Sequence, residues 1–269
     1  MIIDGKRLAG EIIERLKKQG TPKQIFAAIL VGDDPNSISF IKRKGETAKA
    51  LGIDFQVSTF PVTITDGELH DAVSKLANDT SVGGVLIQLP LPGKLNRHFV
   101  LDAIPSQKDV DVLGEYALGM LYAGTNKIIP PGAGAVKEIL ESLKCKVQSY
   151  KVAIIGAGIL IGRPVSLWLQ DQAEELAVFT KNTKDMNKKL KNFDLIISGV
   201  GKGYLFSASD LKDDAIVIDF GYDKINGKFV GDFDPRKAPD TMKYTPTPGG
   251  TGPVLVAALF ENFYTLTKE

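Results

Sequence analysis

The sequence predicts an α/β protein made of two α/β domains, each built on a parallel sheet. Three observations predict it. Short apolar runs suited to buried strands alternate with stretches of helical period along the chain. The run Val152–Ile155 leads directly into glycines at 156, 158 and 162 and then into the apolar segment Val165–Leu169. The chain of 269 residues suffices for one large or two modest domains and shows no repeat, low-complexity segment or flexible linker. Two such domains are expected to pack around a cleft, where such folds bind ligands.

The elements follow in order. Apolar residues at 8, 9, 12, 13 and 16 give Lys6–Lys18 a helical period. Ile25–Val31 is a continuous apolar strand. Gly32-Asp33-Asp34-Pro35-Asn36 ends it, and Ser37 is expected to cap a helix that runs to about Leu51 and stops at Gly52. Ile53, Phe55 and Val57 alternate with polar residues, which predicts a strand to about Phe60. Thr65-Asp66-Gly67-Glu68 has the spacing of a capping box opening a helix to about Ala77. Val82–Ile87 is a third strand, followed by Gln88-Leu89-Pro90-Leu91-Pro92. A short helix after Asn96, a charged turn at 107–111 and a loop-rich region to Pro130 come next. A helix from about Gly134 to Leu143 leads into a second α/β unit spanning roughly 130 to 245, with strands near 152, 176–180, 194–198 and 215–220. Asn226-Gly227 reads as a hairpin turn. Thr245-Pro246-Thr247-Pro248-Gly249-Gly250 then opens a last apolar helix to about Leu266.

Strand, glycine turn and helix form the arrangement that turns backbone N–H groups toward a phosphate at a helix N-terminus, as in a Rossmann-like dinucleotide-binding domain. Gly156 allows the tight turn, Gly158 the approach of a pyrophosphate, and Gly162 close packing of helix on strand. The spacing is GxGxxxG, and a ligand-free strand–helix connector is the alternative. The next strand ends in Thr180-Lys181-Asn182-Thr183 where an NAD site carries an acid for the ribose hydroxyls. Lys181 and Arg163 suit a 2′-phosphate, which favours NADP; ordinary solvated charges are the competing reading for each.

Composition excludes several classes. A net charge of +1 gives no electrostatic case for nucleic acid or an anionic membrane. No apolar run reaches the ~18 residues of a membrane span, and the N-terminus does not read as a signal peptide. The single cysteine, Cys145, allows no internal disulfide, which fits a cytoplasmic setting. The only histidines, His70 and His98, are far apart, so a zinc site or a Ser-His-Asp triad has little support; both are expected at the surface. Chemistry must then rest on Lys, Asp, Gln or a cofactor. Phe40 and Lys44 share a helix face. A lysine beside an aromatic in a cleft loses hydration and becomes usable as a base, although Lys42, Arg43 and Lys49 also make a solvated basic face possible. Gln88 closes a buried strand, where its amide is able to orient Lys44; a plain loop residue is the alternative. Asp109 and Asp111 are paired acids, metal ligands or turn residues. In an extended segment both face the same way, and a carboxylate suits the two-donor edge of an amino-pyrimidine.

At these residues the chain resembles the bifunctional methylenetetrahydrofolate dehydrogenase/methenyltetrahydrofolate cyclohydrolases, nearly end to end. The resemblance is carried by Val31-Gly32-Asp33-Asp34-Pro35 with Ser37 and Lys44, by Gln88–Pro92, by Lys108-Asp109-Val110-Asp111, by Gly162-Arg163-Pro164 and by Pro248-Gly249-Gly250-Thr251-Gly252-Pro253. It implies a folate-binding catalytic domain over 1–129, joined by the last helix at 246–269, which returns to it. It implies an NADP-binding domain over 130–245 and a homodimer. It implies that Lys44 is the catalytic lysine, Gln88 its partner and Asp111 the pterin-binding aspartate. Phe40, Pro248, Gly249 and Gly250 would contact folate; Gly156, Ala157, Gly158, Gly162, Arg163, Lys181, Thr183 and Tyr222 would contact NADP, and no metal is implied. The chain departs from the family in four places. Phe40 replaces a tyrosine, Val112-Leu113 a Gly-Phe, Ala157-Gly158 an Arg-Ser, and Ile129-Pro130-Pro131-Gly132 stands near a Pro-Cys-Thr-Pro. A shikimate-type dehydrogenase of the same fold and a non-catalytic NADP-binding protein are the two rival expectations.

Overall fold

The computed structural model describes residues 1–268. The chain divides into two compact units, one formed by Ile12–Pro131 and the chain from Val256, the other by Met1–Glu11 and Gly132–Leu255.

The Ile12–Pro131 unit receives α1 (Gly5–Lys17), which begins in the other unit. Then follow β1 (Ile25–Val31), α2 (Pro35–Leu51), β2 (Phe55–Phe60), α3 (Asp66–Asn78), β3 (Val82–Ile87), α4 (Arg97–Leu101) and α5 (Glu115–Tyr122). The sheet is parallel, in the order β2-β1-β3, with Ala28 opposite both Val57 and Leu86. Seven consecutive apolar residues make β1 the central strand, because covering helices leave it no polar face. The helix cap differs from expectation: Asp34, not Ser37, accepts the N–H of Ser37 at 2.8 Å, and Pro35 takes the first turn, where a missing N–H costs nothing. The Thr65–Glu68 capping box forms as the spacing predicts. The edge strand β2 does not bury the face its alternation suggests, since Val57 is exposed and Ser58 half-buried. The region read as loop contains α5. His70 is half-buried and stacked on Phe99 at 4.4 Å, whereas His98 is exposed as expected.

The second unit holds α6 (Pro131–Ser142), β4 (Lys151–Ile155), α7 (Gly162–Leu169), β5 (Glu175–Phe179), α8 (Met186–Leu190), β6 (Leu195–Ser198), β7 (Phe206–Ser207), β8 (Ile216–Asp219), β9 (Asp223–Ile225), β10 (Lys228–Val230), β11 (Phe233–Asp234) and β12 (Lys243–Tyr244). Its five-stranded sheet runs β12-β8-β6-β4-β5, all parallel. The chain goes from β4 outward to β5 and returns to β6 on the other side, so the order reverses between β4 and β6. Ligands of open parallel sheets bind outside such a reversal, at the carboxyl ends of the strands. β9 and β10 form the expected hairpin, with Asn226 and Gly227 both at positive φ. The last helix, α9 (Thr251–Leu266), starts in this unit and ends in the other. There Phe263 stacks on Phe26 at 4.7 Å and Phe260 meets its edge at 5.3 Å.

Candidate functional site

In the Ile12–Pro131 unit the sheet order also reverses, between β1 and β3. Gln88 immediately follows β3, its N–H bonded to Ile29 O at 2.8 Å, so strand register fixes where its side chain starts. Lys44 comes from α2, the helix that follows β1. Its Nζ donates to Gln88 Oε1 at 2.9 Å, and Gln88 Nε2 donates to Leu89 O at 2.6 Å, which settles which end of the amide faces the lysine. Lys44 is half-buried as a whole residue, but its amine is turned inward. Burial pushes the amine below the ordinary lysine range, against the opposing pull of Asp111. Asp111 is pushed upward by burial, against the pull of Lys44. A buried amine with a lowered pKa and one fixed acceptor is able to take up and return a proton.

The two acids lie in a turn around an isolated bridge at Asp109, not in an extended segment, and they have different partners. Asp109, 2% exposed, accepts the N–H groups of Leu113 and Gly114, both at 2.9 Å on Oδ2. It holds the turn, and Asp111 is left to the lysine. Phe40 lies one turn before Lys44, on the surface, with the Arg43 guanidinium 6.0 Å from its ring. Among the described residues no cluster of His, Cys, Asp and Glu is suited to a metal.

The glycine turn lies in the second unit. Gly156 closes β4 at φ 97°, a conformation that side chains resist. A Cβ on Gly162 would lie 2.0 Å from Gly156 O, so only glycine lets α7 start there. Around Gly158 there is open space. Ile161 offers α7 no side-chain cap, but the Arg163 N–H donates to Gly158 O at 3.0 Å and Pro164 has none, so the helix start turns the Gly162 N–H, not a row of donors, toward a ligand. A close turn, an open approach and an uncapped helix fit a dinucleotide pyrophosphate. Arg163 is exposed, its Nε donating to Ala157 O at 3.0 Å. Lys181 is exposed, and Thr183 Oγ1 accepts the N–H of Thr180 at 3.0 Å, shaping the loop after β5. Tyr222 is half-buried and stacked on Phe229 at 4.6 Å. Pro248, Gly249 and Gly250 also belong to this unit, with Gly249 at φ 97° and Gly250 O packed against the α carbon of Gly5. The structure thus gathers Lys44, Gln88 and Asp111 in one unit and the proposed nucleotide residues in the other. Sequence reasoning missed two buried acids, Asp219 and Asp232. An acid closing the apolar strand Ile216–Asp219 was the available signal.

One unit holding an amine ready for proton transfer and another holding a dinucleotide-type turn define an α/β oxidoreductase class. Residues 3–111 match the catalytic domain, and residues 130–269 the NAD(P)-binding domain, of the tetrahydrofolate dehydrogenase/cyclohydrolase family. The chain belongs to that family. It is 34% identical over 276 residues to the bifunctional protein FolD of Nitratiruptor sp., covering 100% of this chain and 98% of that protein. It is similar to the crystal structure of the bifunctional FolD methylenetetrahydrofolate dehydrogenase/cyclohydrolase from Campylobacter jejuni, with a TM-score of 0.94 and 32% identity over 99% of this chain and 98% of that one. It is also similar to the Trypanosoma brucei enzyme complexed with NADP cofactor and inhibitor, with a TM-score of 0.92 and 27% identity over 99% and 97% of the two chains. Of the three readings open to the sequence, membership in this family selects the first.

Proposed function

We propose that this protein oxidises methylenetetrahydrofolate to methenyltetrahydrofolate with NADP and hydrolyses the product to formyltetrahydrofolate, in one-carbon metabolism. The observation that carries this reading is the Lys44 amine, withdrawn from water and held 2.9 Å from Gln88 Oε1. Bound NADP supplies the hydride acceptor. The turn at Gly156–Gly162 would hold its pyrophosphate, with Arg163, Lys181 and Thr183 toward the 2′-phosphate and Tyr222 beside the cofactor. The dehydrogenase step needs alignment more than acid–base help, since the two nitrogens flanking the methylene carbon push the hydride out.

Hydrolysis is where this chain's own groups act. Water adds to the methenyl carbon, and its proton passes to the neutral Lys44 amine. The ammonium then returns the proton to the ring nitrogen as the carbon–nitrogen bond breaks, and the remaining hydroxyl proton leaves through the regenerated amine to solvent as the formyl C=O forms. Gln88 aims the amine, and the cationic substrate further favours its neutral form. Asp111 accepts two N–H groups from the amino-pyrimidine edge, while Phe40 stacks on the ring and Pro248, Gly249 and Gly250 complete the folate contacts. In this reading the protein is a cytoplasmic homodimer.

Lys44→Gln and Lys44→Met are expected to lower the hydrolysis rate at least ~100-fold, the lower range for a lost acid–base group, while dehydrogenase turnover stays within about tenfold. The hydrolysis rate of the natural chain should rise with pH through the lowered pKa of Lys44, and the variants should lose that limb. Equal loss of both activities in a folded variant would overturn the assignment.

A further inference from the structure

Two wholly buried acids lie beside the glycine turn and take no part in the mechanism above. Asp232, between β10 and β11, is 0% exposed, and so is Ser198, the last residue of β6. Asp232 Oδ2 accepts the Ser198 hydroxyl at 2.5 Å and the Val200 N–H at 2.8 Å; Oδ1 accepts the Lys202 N–H at 2.7 Å. All three donors come from one five-residue segment that leaves β6 at the reversal of the sheet. That segment abuts the glycine turn, for a Cβ on Gly156 would lie 3.1 Å from Val200 Cγ2 and 3.4 Å from Gly199 O.

Asp219, at the end of β8, completes the arrangement. Its Oδ1 accepts the Gly221 N–H at 2.7 Å, and its Oδ2 accepts the Phe233 N–H at 2.9 Å. Two glycines make room for the acids. A Cβ on Gly221 would lie 2.2 Å from Asp232 Oδ1, and one on Gly231 would lie 2.1 Å from Asp219 Oδ2. Burial and the charge of Asp232 push Asp219 up to about 7. Tying loops together with two buried carboxylates carries a desolvation penalty that an apolar plug would avoid. What the carboxylates supply is direction. In a trans peptide the N–H and the preceding C=O point oppositely. With the Val200 and Lys202 N–H groups turned in to Asp232, the carbonyls of Gly199 and Gly201 are turned away from it.

We propose that Asp232 is a positioning residue for the dinucleotide, fixing the Ser198–Lys202 segment so that its carbonyls serve as hydrogen-bond acceptors for the cofactor at the reversal between β4 and β6. The proposal rests on the NADP reading above. It is tested with Asp232→Asn, which keeps the shape but turns an amide NH2 toward donors that the carboxylate accepted. NADP affinity is measured by isothermal titration, and amide hydrogen exchange at Val200 and Lys202 is measured without nucleotide. The expected result is NADP binding about tenfold weaker, with faster exchange at both amides. The KM for NADP should rise by the same factor, with kcat at saturating nucleotide much less affected. If Asp232→Asn does not fold, Ser198→Ala decides: it removes one donor, leaves the acid in place and is expected to weaken NADP binding about threefold. Wild-type affinity in a folded Asp232→Asn, or in Ser198→Ala where that variant decides, overturns the proposal. Failure of the natural chain to bind NADP overturns the cofactor reading itself.

Discussion

Asp109 and Asp111 show what a residue's identity does and does not reveal. Their spacing marks them as a pair; their roles come from the turn, which sends one carboxylate to backbone N–H groups and the other toward Lys44. Asp109 is pushed up to about 6, first by burial and against the help of its backbone donors. The unfolded chain holds the same group near ~3.9. Between about pH 4 and 6 the folded state therefore binds more protons, and stability falls as pH rises through that window, by about 3 kcal/mol in all. Asp109→Asn should remove this share of the slope and leave the part due to the other raised acids, Asp111 and Asp219, because both N–H groups reach a single oxygen that an amide also provides. Urea unfolding at pH 4.5 and pH 7 measures it; an unchanged slope in the variant would place the buried charge elsewhere. The next residue but two was marked in the sequence only as a departure from the family's glycine. Val112 has φ 56°, a conformation costing a branched residue ~1–2 kcal/mol or more, in a position where the family carries glycine. Its burial with Ala117 and Ile128, and against Leu121 and Leu266, offsets that cost.

At the scale of elements, the glycine turn separates steric need from chemistry. Gly156→Ala forces a side chain into φ 97°, and Gly162→Ala puts a Cβ into Gly156 O, whereas Gly158→Ala meets open space. Gly162→Ala should lower the melting temperature by several degrees and weaken NADP binding more than tenfold, while Gly158→Ala should leave the melting temperature within about 1 °C. Thermal unfolding with and without NADP checks both; equal destabilisation by the two would mean that the turn is not as tight as the structure has it. This turn was legible because its glycines follow a strand buried on both faces, and β1 and β3 were legible for the same reason. The helix α5 was not. Gly114 gives it no side-chain cap, Gly119 interrupts it, and Tyr116 and Tyr122 are exposed, so no polar face marks its period. The edge strand β2 misled for a related reason, as its alternation does not record which face is covered. Lys44, Gln88 and Asp111 could be named from the sequence, but the Lys44–Gln88 bond depends on two elements 44 residues apart meeting at the reversal of the sheet. Asp232 was illegible because its partners lie thirty or more residues upstream.

Across the whole molecule, α9 does work that neither unit's own run of sequence contains. At its start, in the second unit, the Thr251 hydroxyl donates to Asp219 O at 2.8 Å. Near its end, in the Ile12–Pro131 unit, Asn262 Nδ2 donates to Val110 O at 2.9 Å and to Ile129 O at 2.8 Å. Val110 directly precedes Asp111, so the chain's end anchors the turn that presents the proposed pterin acid. Asn262→Ala leaves the buried Val110 carbonyl and the part-buried Ile129 carbonyl without this donor, a loss of ~1–3 kcal/mol that falls on the Asp111 turn. The KM for methylenetetrahydrofolate should then rise several-fold while the KM for NADP stays within twofold, because Ser198, Val200 and Gly156 do not depend on Asn262. Steady-state kinetics with each substrate varied in turn decides this, and parallel rises in both constants would show that α9 supports the fold generally and not the folate turn in particular.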